Sequence, residues 1–128
     1  MASEFKYIFT EKAVDDLDKT LDYISNKLNN SAAAKRLLDN ISDSITEICS
    51  FPELGALVQN EYLTRKDVRC IVIDNYIMYY IPEIEKKEIL IVSIVYGKRN
   101  LNSIMSEFNK IWLYASVCYI IINRIYII

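Results

Sequence analysis

The sequence predicts an α+β fold, in which an N-terminal strand and a helical hairpin pack on a twisted antiparallel β-meander and a C-terminal helix follows. Two amphipathic helical stripes in the first half of the chain and three apolar, β-branched runs in the second half indicate this order. The chain has 128 residues, of which 52% are hydrophobic and 25% are charged, so it can form one compact domain with its own core.

A short strand opens the predicted fold, because aromatic residues alternate along Phe5, Tyr7 and Phe9. Thr10 follows as a candidate cap for the first helix. The apolar stripe of that helix comprises Val14, Leu17, Leu21, Ile24 and Leu28. Intervening aspartates and lysines give the helix a polar outer face.

A second helix is predicted after the break at Asn29-Asn30-Ser31, which also supplies its cap. Its apolar stripe comprises Ala34, Leu38, Ile41, Ile45 and Ile48. The helix should end before Phe51-Pro52, because proline disfavours a helical conformation in the residue before it. We expect the two helices to form an antiparallel hairpin that covers one face of the sheet.

The meander is predicted from three apolar segments. Val68–Ile73 and Tyr76–Ile81 flank the turn candidate Asp74-Asn75 and should form a hairpin. A charged loop, Pro82–Lys87, leads to Ile89–Tyr96, which is almost continuously apolar. Such a run is typical of a strand buried on both faces, in the middle of its sheet.

A third helix should begin at Asn100, with an apolar side formed by Leu101, Ile104, Met105 and Phe108. Beyond it the sequence becomes unusually apolar, and residues 111–128 contain a single charge, Arg124. That length is at the lower limit for a membrane span. We favour a helix packed on the sheet or on a partner over a membrane anchor, and place a domain boundary between residues 1–108 and the extension 109–128.

Composition excludes several classes of function. Histidine is absent, which removes the usual general base and every His-ligated metal site, and two glycines are too few for a phosphate-binding glycine-rich loop. The three cysteines, Cys49, Cys70 and Cys118, match neither a disulfide framework nor a metal-ligand spacing. We therefore expect no cofactor and no metal. The start of the chain lacks the apolar core of a signal peptide, which suggests a cytoplasmic protein.

The candidate functional site is the basic corner Tyr96-Gly97-Lys98-Arg99 at the end of the last strand. Its ammonium and guanidinium groups could hold a phosphate or a carboxylate beside the next helix. An ordinary solvated turn is the alternative. Arg69 on the first meander strand either faces solvent or lines the same face as the corner. Tyr96 could donate a proton or stack on a base, whereas most of the ten tyrosines should serve packing.

The order of these motifs resembles the RelE/ParE toxins of type II toxin-antitoxin systems. The resemblance covers about residues 5–108 and includes the Phe51–Gly55 loop, the segment Val68–Tyr80 and the segment Ile91–Asn100. Its details are an arginine on the first meander strand, an Asn-Tyr turn before a tyrosine-rich strand, and a last strand ending in Gly-Lys-Arg. The apolar extension has no counterpart in the family pattern.

The resemblance implies a toxin that a cognate antitoxin protein holds inactive. RelE-like members cut mRNA in the ribosome, whereas ParE-like members inhibit DNA gyrase without cleaving nucleic acid. For an RNA-cutting member the implied catalytic candidates are Arg69, Lys98 and Arg99, which stabilise the phosphate, and Tyr96, which carries a proton.

Two positions depart from the RNA-cutting members. Ile77 follows the Asn-Tyr turn where many of them have an arginine, and Met105 stands where RelE-like members have a tyrosine. Three hypotheses therefore remain: a ribosome-dependent mRNA endonuclease, a non-enzymatic toxin that binds a protein target such as gyrase, and a degenerate, non-toxic member that still binds an antitoxin. Self-association through the apolar extension is also left open.

Overall fold

The computed structural model of the chain describes residues 4–58 and 65–97, and it confirms the α+β fold. The elements are, in chain order, β1 (Lys6–Phe9), α1 (Glu11–Asp22), a π-helical turn (Tyr23–Lys27), α2 (Ser31–Ser50), β2 (Ala56–Leu57), β3 (Arg69–Ile73), β4 (Tyr76–Glu83), a 3₁₀ turn (Ile84–Lys86) and β5 (Glu88–Tyr96). The predicted third helix and the extension 109–128 lie outside the described residues.

The strands form one sheet in the order β1-β5-β4-β3-β2. Strands β3, β4 and β5 are the predicted antiparallel meander. Strand β1 joins its edge parallel to β5, with Lys6 opposite Glu88 and Phe9 opposite Ile91, so the complete sheet is mixed. The short strand β2, which the sequence did not predict, pairs with β3 at the other edge.

Both predicted helix caps are confirmed. The Thr10 side chain accepts a hydrogen bond from the backbone N–H of Ala13, and the Asn30 side chain accepts one from Ala33. These bonds satisfy donors that have no partner within the helix. Helix α2 ends at Ser50, before the Phe51-Pro52 pair, as predicted.

One position of the predicted apolar stripe of α2 is wrong. Leu38 is 42% exposed, whereas its neighbour Leu37 is 3% exposed and belongs to the core. The spacing between Ala34 and Ile41 admits a core residue at either three or four positions after Ala34, so both leucines fit the helical period. The structure places Leu37 inside.

The turns of the meander are set by backbone conformation. Asp74 and Lys87 both have positive φ angles, 55° and 54°, which reverse the chain after β3 and before β5. Strand β4 continues further than predicted, because Pro82 still pairs with Ile89. Pro82 lacks an N–H, and β3 pairs with β4 only as far as Tyr80, so no sheet neighbour is deprived of a donor there.

Helices α1 and α2 pack on one face of the sheet, where they contact β5 and β3 respectively. The core beneath them includes Phe9, Ile41, Met78, Tyr80 and Ile91. Strand β5 is buried on both faces, as its apolar run predicted. Within residues 4–58 and 65–97, no helix has both the length and the apolar character needed to cross a bilayer.

Candidate functional site

The end of β5 is fixed against the β3–β4 turn. The backbone N–H of Gly97 donates a hydrogen bond of 2.9 Å to the carbonyl of Asn75. A Cβ atom on Gly97 would lie 3.3 Å from that oxygen, so glycine permits this close approach. The ring of Tyr96 contacts Tyr76 edge to face, with 5.7 Å between ring centroids, and Tyr96 remains 42% exposed. Tyr96 is therefore held at the surface, directly before Lys98 and Arg99, which lie outside the described residues.

An open groove of about 1490 Å³ lies beside Tyr96, between α1, the π-helical turn and the end of β5. Three phenols, those of Tyr23, Tyr76 and Tyr96, contribute to its lining. Burial raises the pKa of Tyr76, and the neighbouring phenols of Tyr96 and Tyr23 raise it further. Tyr76 thus keeps its proton at neutral pH.

The charged side chains lining this groove are more acidic than basic. They are Glu11, Asp15 and Asp16, with Lys12 and Lys19. Both lysines form ion pairs within the helix, Lys12 with Asp16 at 3.0 Å and Lys19 with Asp15 at 2.8 Å. The described lining of the groove consequently offers little attraction to a nucleic-acid backbone, which needs a local excess of positive charge.

Arg69 serves a loop rather than an open surface. Its guanidinium Nη1 donates to the carbonyl of Gly55 at 2.7 Å and to that of Glu53 at 3.3 Å. Opposite it on β4, the Tyr80 hydroxyl accepts a hydrogen bond from the N–H of Gly55 at 2.8 Å and donates one to Pro52 at 2.9 Å. Arg69 and Tyr80 together fasten the Pro52–Gly55 loop to the sheet.

The structure does not bring Arg69 and Tyr96 together. Ile73 lies opposite Tyr76, which in turn lies opposite Tyr96, whereas Arg69 pairs with Tyr80. Arg69 is four residues from Ile73 along β3, a distance of about 13 Å in a strand. The two candidates therefore occupy opposite ends of the sheet.

The arginine nearest to Arg69 among the residues just before β3 is also engaged. Arg65 pairs with Asp67, and its Nη1 lies 3.2 Å from the Glu83 carboxylate. The carboxylates offset the guanidinium charge, so Arg65 does not add to a basic surface near Arg69.

A β-bulge in β5 shapes the candidate site, and the sequence did not predict it. Ser93 lies opposite Tyr79 and Ile91 opposite Tyr80, which leaves Val92 as an extra residue. The hydroxyl of Thr10 donates to the Val92 carbonyl at 2.8 Å. Thr10 thereby joins the start of α1 to the bulge as well as capping the helix.

Asp16 satisfies the other side of the bulge. Its Oδ2 accepts hydrogen bonds from the Ser93 hydroxyl at 2.7 Å and from the backbone N–H of Ile94 at 3.1 Å. Lys12 adds a donor to both Asp16 and Ser93. Ser93 had a signal, as a lone polar residue within an apolar run, but nothing in the sequence distinguishes Asp16 from the other aspartates of α1.

The two described thiols lie in different parts of the core. Cys49 packs in the core between the helices and the sheet, and burial raises the pKa of its thiol to about 11, with a smaller contribution from Glu4. Cys70 packs against the opposite face, and burial raises its pKa too. Within the described ranges, no three Cys, Asp or Glu residues are grouped as metal ligands would be.

Comparison with family models finds a match to the ParE toxin of type II toxin-antitoxin systems, over residues 7–101. The match covers the described fold from β1 to β5 and includes Arg69, Tyr96, Lys98 and Arg99. Among curated proteins no sequence matches.

Solved structures with the same fold include toxins of two named types. The chromosomal ParDE toxin-antitoxin system of P. aeruginosa is 21% identical, with a TM-score of 0.58 over 74% of this chain and 98% of that chain. The RelBE2 toxin-antitoxin complex of Mycobacterium tuberculosis is 14% identical, with a TM-score of 0.55 over 75% and 94%. The isolated E. coli RelE toxin is 18% identical, with a TM-score of 0.52 over 83% and 96%.

Proposed function

Because the chain belongs to the ParE toxin family of type II toxin-antitoxin systems, we propose that it is the growth-inhibiting member of such a pair. We further propose that it acts by binding a protein target, DNA gyrase, and not by cutting mRNA. Tyr96, Lys98 and Arg99 at the end of β5 would then form part of the contact surface for the target.

The engagement of Arg69 is the observation that carries the choice of a protein target. An arginine that stabilises a reacting phosphate must direct its donors at the substrate. Nη1 of Arg69 instead donates to two loop carbonyls, at 2.7 Å and 3.3 Å. About 13 Å of strand also separates Arg69 from Tyr96. A ribonuclease would thus lose one of its three expected cations.

Two further features support a target other than RNA. Ile77, at a position where many RNA-cutting relatives have an arginine, packs against the apolar face of the sheet that is turned away from the helices. The groove beside Tyr96 has an acidic lining. Both features disfavour a phosphate backbone close to Tyr96.

A cognate antitoxin is the second partner that we propose. Two of the solved relatives are described as a ParDE toxin-antitoxin system and a RelBE2 toxin-antitoxin complex. By analogy, this chain would be held inactive by a protein expressed with it. Co-expression should then restore growth, and the two proteins should purify together.

Regulated expression in a bacterial host tests the proposed toxicity and its route. We expect growth arrest, with no new 5′ ends in translated mRNA. Arg99→Ala should relieve the arrest, because it removes a charge from the proposed target surface. Arg36→Ala is the matched control, since Arg36 is an exposed arginine on α2, away from the end of β5, and should stay toxic.

Three outcomes would contradict parts of this assignment. Codon-mapped cuts that disappear in Arg99→Ala would identify a ribonuclease and overturn the protein target. Normal growth despite soluble, folded protein that binds its antitoxin would identify a non-toxic family member. Arrest that is equally strong in Arg99→Ala would move the target surface away from the end of β5.

A further inference from the structure

The sheet has a second apolar face, turned away from α1 and α2. It is formed by residues of three strands, each at most 6% exposed: Ile8, Tyr79, Ile81, Leu90, Val92 and Val95. Surface this apolar and this inaccessible must be in contact with other protein atoms.

The two helices do not supply that contact. Their buried residues, such as Ala13 and Ile41, all belong to the cluster on the opposite face of the sheet. The α1 side chains that reach β5, Lys12 and Asp16, contact Ser93 and Ile94 from the helix side. The second face must therefore be covered by another part of the chain or by a partner.

Described residues outside the strands cover only one border of this face. Val58 and Val68 pack there, joined by a hydrogen bond of 2.8 Å beside β3. Ile8 on β1 is three strands away, a distance of about 14 Å at the usual strand spacing. Val72, which alternation along β3 places on the same face, is 69% exposed. The cover thus lies over β1, β5 and β4 and leaves the far end of β3 open.

We propose that segment 98–128 of the same chain folds back and forms this cover. The segment follows Gly97, at the end of the strand that runs through the middle of the face. The other stretches outside the described residues, 1–3 and 59–64, are too short to cover three strands. Segment 98–128 also carries apolar residues at helical spacing: Leu101, Ile104, Met105, Phe108, Ile111 and Trp112.

The dimensions agree with this placement. A helix of about 20 residues is about 30 Å long. The nine residues of β5 span a similar length, about 30 Å, in an extended strand. A strand or helix of a partner could reach Leu90 and Val92 only after displacing the segment, so the segment controls access to this face.

Trp112, the only tryptophan, reports on the segment in the full chain. We expect acrylamide to quench its fluorescence about fivefold less efficiently in the folded chain than in the urea-unfolded chain, because burial excludes the quencher. This protection should not change on dilution. Nuclear Overhauser effects should also connect the Trp112 indole to methyl groups of Leu90 and Val92.

A matched pair of substitutions distinguishes the face from general loosening. Leu90→Ala and Leu37→Ala remove the same side chain from sites that are 6% and 3% exposed on opposite faces of the sheet. Leu90→Ala should increase the quenching of Trp112 more than Leu37→Ala does. If both variants fail to fold, the Overhauser effects in the unaltered chain decide the question.

Several results would overturn the assignment. Trp112 could be quenched as readily in the folded chain as in urea, or its Overhauser effects could lead to α1 or α2. Protection that disappears on dilution would mean that a second copy covers the face. Protection that requires phosphatidylcholine vesicles would mean that the segment inserts into a lipid surface.

Discussion

The Pro52–Gly55 loop depends on a few atoms of single residues. Tyr80 bridges Gly55 and Pro52 through its hydroxyl, and Arg69 binds the carbonyls of Gly55 and Glu53. Burial raises the pKa of Tyr80, so the hydroxyl keeps the proton that it donates to Pro52. The arginine that resemblance marked as catalytic thus has a structural role visible in its contacts.

Gly55→Ala should destabilise the fold at this point. An added Cβ would lie 2.6 Å from the Cys70 carbonyl oxygen and 2.7 Å from the Tyr80 hydroxyl, closer than van der Waals contact allows. We expect the free energy of unfolding in urea to fall by about 1–3 kcal/mol. In the control Gly97→Ala, where the closest atom is 3.3 Å away, the loss should be smaller. Equal losses would show that the Gly55 contact is not tight in solution.

Cys49 should make the stability sensitive to alkaline pH. Burial raises the pKa of its thiol from 9.0 to about 11, so the folded state retains the proton while the unfolded state loses it. Below pH 9 this thiol contributes nothing to the pH dependence. Between pH 9 and 11 the free energy of unfolding should fall with a slope of up to about 1.4 kcal/mol per pH unit from this group.

Chemical denaturation of the unaltered chain and of Cys49→Ala at several pH values measures that slope. Burial raises the pKa of Cys70 and Tyr79 as well, so the variant should keep a decline with pH, but a shallower one. The same slope in both proteins would show that Cys49 ionises equally in the folded and unfolded states.

At the scale of elements, the bulge in β5 links the sheet to α1. Extra residues in a strand leave backbone groups without ladder partners. Thr10 and Asp16 supply those partners at Val92 and Ile94, and Asp16 is held by Lys12. The direction in which β5 carries Tyr96 therefore depends on side chains of a helix more than 70 residues earlier in the chain.

Asp16→Ala should lower the free energy of unfolding by about 1–3 kcal/mol, because it leaves the buried Ser93 hydroxyl and the Ile94 N–H without their acceptor. Asp15→Ala, in the adjacent exposed ion pair with Lys19, should cost less than about 1 kcal/mol. Both changes alter helix propensity equally, so their difference isolates the bulge. Comparable losses in thermal or urea denaturation would refute this role for Asp16.

The elements themselves were largely predictable, because their apolar periods are regular and their caps are local. Thr10, Asn30 and the Phe51-Pro52 stop each act within a few residues of the helix that they bound. Strand β2 was missed because two residues carry no period. The parallel pairing of β1 with β5 depends on a contact between distant segments, which no local pattern specifies.

At the scale of the whole molecule, the candidate site was only partly predictable. The sequence placed Arg69 and Tyr96 on strands of one meander, but their separation follows from the strand register. Loop contacts of Arg69 depend on the path of residues 52–55, which the sequence indicated only as a loop. A net charge of −2 and the acidic groove together explain why no broad polyanion surface is found among the described residues.

The proposed protein target is tested most directly by a supercoiling assay with purified DNA gyrase, relaxed plasmid and the purified chain. We predict that the chain inhibits ATP-dependent supercoiling, that Arg99→Ala inhibits less, and that Arg36→Ala inhibits as well as the unaltered protein. Addition of the cognate antitoxin should restore supercoiling. Full supercoiling in the presence of a chain that arrests growth would contradict gyrase as the target.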